Sequence, residues 1–132
     1  MDDVKKTNDE SGYDMRNQLV EQVSDLIKNC CDAMGSRQYS DWLINLEAFI
    51  PYIMAYAAED VCSGLVKELD DLSSTWIEWM EKNKYRYQKG RWSGVPVGLH
   101  SNFYSFYIKL MKQAKECGLL PSTEKRGRGN RG

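Results

Sequence analysis

Apolar residues recur along this chain at intervals of three and four, the spacing that gathers side chains on one face of an α-helix. The first run holds Leu19, Val23, Leu26, Cys30 and Ala33, and it predicts a helix over about residues 12–34. Ser11 followed by Asp14 reads as its capping box. Gly35 and Ser36 read as its end, because glycine tolerates the left-handed backbone that closes helices. A second run, Trp42, Leu43, Leu46, Phe49, Ile50, Ile53 and Met54, is apolar on most of its circumference. That pattern predicts the most buried helix, with Ser40 as its cap. Pro51 falls about ten residues in, where its missing N–H predicts a kink or a division.

A third stripe, Cys62, Leu65, Leu69, Leu72, Trp76 and Trp79, runs from the acidic start Glu59–Asp60 to about residue 85. Gly90, Gly94, Pro96 and Gly98 predict an irregular loop over about residues 89–98. Phe103, Phe106, Tyr107, Leu110 and Ala114 then predict a last helix over about residues 101–117. Gly118 is placed to close it, Leu119 or Leu120 to pack back, and Pro121 to bar continuation. No strand-like alternation and no internal repeat is visible. Four helices with short connections predict an all-α four-helix bundle with a kinked second helix. Residues 1–10 read as a flexible polar arm, 11–121 as the bundle domain and 122–132, STEKRGRGNRG, as a disordered basic tail.

Composition narrows the class. With 132 residues, 42% hydrophobic and 28% charged, the chain matches one ordinary globular domain large enough to bury a core. Of Cys30, Cys31, Cys62 and Cys117, three lie within apolar helical patterns and no CxxC pair occurs. Reduced core cysteines in a cytoplasmic protein are therefore expected, rather than a disulfide framework or a zinc site. The opening MDDVKKTNDE lacks the apolar stretch of a secretory signal. The longest weakly polar run, residues 48–58, is 11 residues, about half of what a membrane span needs. No membrane association is expected.

The overall charge of −1 conceals a segregation. Residues 1–80 carry six Lys/Arg against sixteen Asp/Glu, and residues 81–132 carry twelve against three, giving −10 and +9. Such asymmetry suggests a polyanion partner for the second part and a basic partner for the first. The sharpest segment is KNKYRYQKGRW, residues 82–92, where Lys82, Lys84, Arg86, Lys89 and Arg91 alternate with Tyr85, Tyr87 and Trp92. Cations neutralise phosphates and flat rings accept unstacked bases. The competing reading is a solvated helix end, since lysines favour the last turn and tyrosines often finish a core. Lys109, Lys112 and Lys115 reinforce the basic reading, and the tail adds Lys125, Arg126, Arg128 and Arg131. Trp42 and Trp76 fall in core stripes, whereas Trp92 sits in a basic glycine-containing loop and is the tryptophan expected at the surface.

Catalytic signatures are missing from the sequence. His100 is the single histidine, and no Ser/His/Asp order, HExxH, Walker loop or nucleophile elbow occurs. The glycines of GRWSGVPVG follow no expected strand, and a bundle metal site would lack histidines. We therefore expect no enzyme and no cofactor, and read His100 as structural.

Three segments carry a resemblance: MRNQLVEQVSDL (15–26), LINLEAFIPYIMAYAAE (43–59) and SNFYSFYIKLMKQAKECG (101–118). Their order resembles the small helical subunit of type III-A CRISPR effector complexes, over about half of the chain. Arg16 stands at the position of that family's first-helix arginine, and Pro51, Ala55 and Tyr56 match its second motif. Glu59 departs from it, standing where a basic residue is commoner. The resemblance implies several copies stacked along a guide–target RNA duplex, touching backbone phosphates without catalysis.

The expected function is thus a non-catalytic subunit of a nucleoprotein complex. It would oligomerise, meet other protein subunits, and hold RNA or single-stranded DNA through Arg16, Lys82, Lys84, Arg86, Lys89, Arg91 and Lys112, with Trp92 or Tyr87 stacking. The acidic first helix, with Asp14, Glu21, Asp25 and Asp32, would meet the basic half of the next copy. The alternative is a protein–protein adaptor or inhibitor that acts through its acidic half, without nucleic acid.

Overall fold

The apolar stripes become four helices: α1 (Asp2–Gly35), α2 (Tyr39–Met54), α3 (Glu59–Lys82) and α4 (Val97–Glu116). A computed structural model describes residues 2–120, with side chains from Asn17 onward. The protein is an all-α helical bundle. Its central element is α2, which packs against α1, α3 and α4. That position follows from its circumference: Trp42, Leu46, Phe49 and Ile53 are fully buried, and Leu43 and Ile50 nearly so. Val23, Cys30, Trp76, Phe103, Phe106, Leu110, Ala114 and Leu119 complete the innermost core. Helix α2 continues through Pro51 to Met54 without division. Met54, expected in the stripe, lies at the helix end and is exposed.

Several boundaries differ from those read off the sequence. Helix α1 begins at Asp2, so the Ser11 start lies inside it and residues 2–10 continue the helix rather than forming an arm. The polar opening contains no proline to stop the helix extending backward. Helix α2 starts at Tyr39 after Gln38, so Ser40 is not its cap. Ser40 Oγ instead accepts the indole N–H of Trp76 at 3.1 Å, a contact across 36 positions that no local rule anticipates. Helix α4 starts four residues earlier than expected, directly after Pro96. Proline restricts the residue before it but suits the first-turn edge of a helix.

The two glycine closures came out differently. Gly118, at φ +75°, ends α4 as expected. Leu119 N–H bonds Ala114 C=O at 2.8 Å and Gly118 N–H bonds Lys115 C=O at 3.1 Å, the paired bonds of a Schellman cap. Leu119 packs back and is fully buried. At the end of α1 the same pair of bonds runs from Gln38 to Ala33 (2.8 Å) and from Arg37 to Met34 (3.2 Å). The left-handed residue there is Arg37, at φ +60°, and Gly35 is still helical. Gly35→Ala, whose Cβ would meet nothing within 4 Å, should therefore raise stability by up to about 1 kcal/mol. Gly118→Ala should lower it by roughly 1–2 kcal/mol. Paired thermal melts check the opposite signs.

The segment between α3 and α4 is the largest departure. A 3-10 turn (Lys84–Arg86) leads into a hairpin of β1 (Tyr87–Gln88) and β2 (Arg91–Trp92), paired Tyr87 with Trp92 and Gln88 with Arg91. Lys89 and Gly90 turn the chain at φ +54° and +77°. Two successive positive φ values match the twist of a two-residue hairpin loop. Ser93 N–H to Arg86 C=O, at 3.1 Å, extends the pairing by one step.

Candidate nucleic-acid interface

Four ends meet around the hairpin: the α1–α2 turn, the end of α3, the hairpin itself and the start of α4. The hairpin is seated by aromatic rings. Trp92 meets Trp76 and Trp79 at centroid distances of 5.5 Å each, and Tyr87 at 4.8 Å. Trp76 in turn stacks on Trp79 (5.6 Å, 17°) and touches Tyr39 (5.1 Å) and Phe103 (6.0 Å). Trp92 is therefore half-buried and anchors the hairpin to the core, so the surface role expected for it falls to others. Tyr85 and Tyr87 are the exposed rings of this segment. The Arg86 guanidinium lies 5.1 Å from the Tyr85 ring centroid, a cation–π contact.

The cations expected to act together are only partly brought together. Lys82, Lys84, Arg86, Lys89 and Arg91 all lie on the end of α3 and the hairpin. Lys84 pairs with Glu81 at 3.1 Å, and Arg86 is half-buried against Gly94. Lys82, Lys89 and Arg91 are exposed and have no ion-pair partner among the described residues. Lys109 is held by Glu68 of α3, with Nζ 2.8 and 2.9 Å from its carboxylate oxygens. A carboxylate of the acidic segment thus neutralises one of the reinforcing lysines. Lys112 is exposed on α4, but it is twelve positions beyond His100, about 18 Å along the helix. Arg16 lies in α1 about 28 Å of helix before Gly35, and its side chain falls outside the described residues. So do the tail cations.

Sequence reasoning missed Arg37, which belongs to the acidic half. Gln38 Nε2 donates to Gly90 C=O at 2.9 Å, tying the α1–α2 turn to the hairpin tip. That bond sets Arg37 beside the hairpin cations. The only sequence signal was the arginine two positions past Gly35, at the place where a left-handed residue closes the helix. Arg37 Nη1 lies 3.2 Å from His100 Nδ1 and 3.4 Å from Nε2, and Tyr39 Oη lies 2.8 Å from Nδ1. Arginine can only donate, so one ring nitrogen accepts from it and the imidazole is neutral, while the Tyr39 hydroxyl donates to or accepts from Nδ1 according to the tautomer. The rings of Tyr39 and Trp42 meet the imidazole edge-on, at 5.7 and 5.6 Å.

Burial, and then the Arg37 charge, hold the His100 pKa below its ordinary value of 6.5. The unfolded chain therefore takes up the proton first as pH falls. Stability should be constant above the unfolded value and decline as pH drops from there through the lower folded value. Tyr39 is the other titratable group on the ring, and no carboxylate pairs with it among the described residues. His100→Gln should flatten the change in melting temperature between about pH 7.5 and pH 5. An unchanged acid slope would remove His100 as its source.

Elsewhere the chemistry is quiet. Cys30 is buried and its thiol is pushed up to about 12, by burial and then by Cys31. Burial and a 3.3 Å contact with Cys31 Sγ likewise raise the Tyr107 phenol. Among the described residues, no group of His, Cys, Asp and Glu could hold a metal ion, and no helix is long and apolar enough to cross a membrane. No protein-family model, no curated protein and no solved structure matches this chain.

Proposed function

We propose that this chain is a non-catalytic helical subunit of a nucleoprotein assembly, and that it holds RNA by its backbone at the hairpin end. One observation carries the reading. Lys82, Lys89 and Arg91 stand exposed, without an ion-pair partner among the described residues, around a hairpin seated on the core, with Tyr85 and Tyr87 exposed beside them. Cations on a fixed frame neutralise successive phosphates, and exposed rings accept bases without sequence preference. The order of segments shared with the type III-A CRISPR small subunit agrees with such a role. So does the acidic α1, which offers the basic end of another copy a complementary, propagating contact. A cytoplasmic setting fits both.

The test is retention of single-stranded RNA on a filter at about 50 and 200 mM salt, where counterion release makes phosphate binding fall steeply. Binding that is present at low salt and lost at high salt is expected. No binding at low salt would sink this reading and favour the adaptor. One feature favours that alternative: a cleft is lined by Asp32 and Asp41 with Asn29, Gln38 and Asn45, a surface suited to a basic partner.

A further inference from the structure

Beside the hairpin lies a cleft of about 470 Å³, whose walls include Arg37, Tyr39, Trp92, Val95, Val97 and His100. Its size is that of a small-ligand site. Its lining is unusual for this chain: 19 of 132 residues are acidic, yet none lines the cleft. One wall offers the Trp92 ring and two valines, and Val97 is 81% exposed. The other offers the exposed guanidinium of Arg37, with the neutral imidazole and the phenol behind it. Arg86, whose guanidinium lies against Gly94, adds a second cation at the border.

Arg37 is also the strained residue. A non-glycine at φ +60° costs roughly 1 kcal/mol, and glycine or asparagine would close α1 with less strain. The backbone therefore holds an arginine where a smaller residue serves the cap better. What the arginine adds is a planar, always-charged donor fork at the mouth of an aromatic-walled cleft, tethered to the hairpin through Gln38. That fork matches the oxygens of a phosphate.

From this arrangement we infer that the cleft binds a nucleoside monophosphate unit, with its phosphate on Arg37 beside His100 and its base against Trp92, Val95 and Val97. The unit comes either from a free nucleotide or from the phosphorylated end of a bound strand. The first source does not depend on the backbone-binding reading above, whereas the second does. An arriving phosphate places negative charge beside the imidazole. Its proton affinity then rises against the Arg37 charge that opposes it. Among the described residues the titratable or charged groups facing the ring are Arg37 and Tyr39, Trp42 meets it edge-on, and Trp92, Gly94, Val95 and Val97 complete the cleft lining.

Because His100 is the only histidine, its imidazole proton resonance reports on the site without assignment. The full chain is titrated with AMP, with adenosine and with inorganic phosphate. AMP should move the resonance and raise its titration midpoint, adenosine should do neither, and phosphate alone should act more weakly than AMP. Arg37→Gly relieves the left-handed strain while removing the fork. It should melt no lower than wild type yet bind AMP at least about tenfold more weakly. Arg37→Lys, which keeps the charge without the fork, should fall between the two and serves if the glycine variant folds poorly. AMP that leaves His100 unmoved, or that binds Arg37→Gly as tightly as wild type, overturns the inference. Short RNAs with a 5′-phosphate or a 5′-hydroxyl then separate the sources. A larger shift with the phosphate assigns the strand end, and no difference between the RNAs assigns the free nucleotide. AMP binding persisting where hairpin charge reversal has no effect on RNA would leave this site standing while the backbone reading falls.

Discussion

Replacing Trp76 with alanine should destabilise the fold by about 3–5 kcal/mol, and lower the melting temperature by roughly 10–20 °C. Trp76 has no exposed surface and its ring meets Tyr39, Trp79, Trp92 and Phe103. Truncation therefore opens a cavity where α2, α3, α4 and the hairpin converge, and it removes the indole that donates to Ser40. A domain of this size has only about 5–15 kcal/mol in total, so the loss is a large fraction. The hairpin should come loose first, because Trp92 rests on Trp76 and Trp79. Trp42→Phe offers a contrast. Trp42 is equally buried, but its indole nitrogen has no hydrogen-bond partner among the described residues. Its replacement gives up no hydrogen bond, and should cost about 1 kcal/mol less than Trp76→Phe. Thermal melts by circular dichroism rank all three. Equal costs for the two phenylalanine variants would show that the Ser40 bond contributes nothing.

The combined variant Lys82→Glu, Lys89→Glu and Arg91→Glu should weaken RNA retention at least about a hundredfold at low salt. Among the described residues, these three are the exposed cations of the hairpin end without an ion-pair partner. Lys84 is already compensated by Glu81 and Arg86 helps to pack the hairpin, so reversing those would mix binding with folding. Each phosphate contact on a single strand contributes a salt slope of about 0.7. Losing three should therefore flatten the dependence by about 2. Helical content should stay the same, since all three side chains point to solvent. Retained binding with an unchanged slope would move the RNA contact away from this end. Reversing Lys109 instead should chiefly break its pair with Glu68, a partly exposed contact of modest value.

The sequence by itself determined the four helices, the buried face of each and the closure of α4 at Gly118, with Leu119 or Leu120 to pack back; the structure chose Leu119. These are local matters. A 3.6-residue period and a left-handed glycine are written in neighbouring positions, and burial of the stripe enforces them. It also located the cationic segment. The hairpin was not legible: about residues 89–98 read as an irregular loop, because strands of two residues are too short for alternation to register.

Only the tertiary structure decided which ends meet. Periodicity states that a face is buried, not against what. The bonds that build the candidate site join Gln38 to Gly90 and Arg37 to His100, positions 52 and 63 apart. Trp92 became an anchor because Trp76 and Trp79 lie under it, and Lys109 lost its free charge because α3 brought Glu68 alongside. Arg37, in the segment whose average charge is negative, joined the basic end for the same reason. Charge adds along a chain, but potential adds in space, and only folding converts the one into the other.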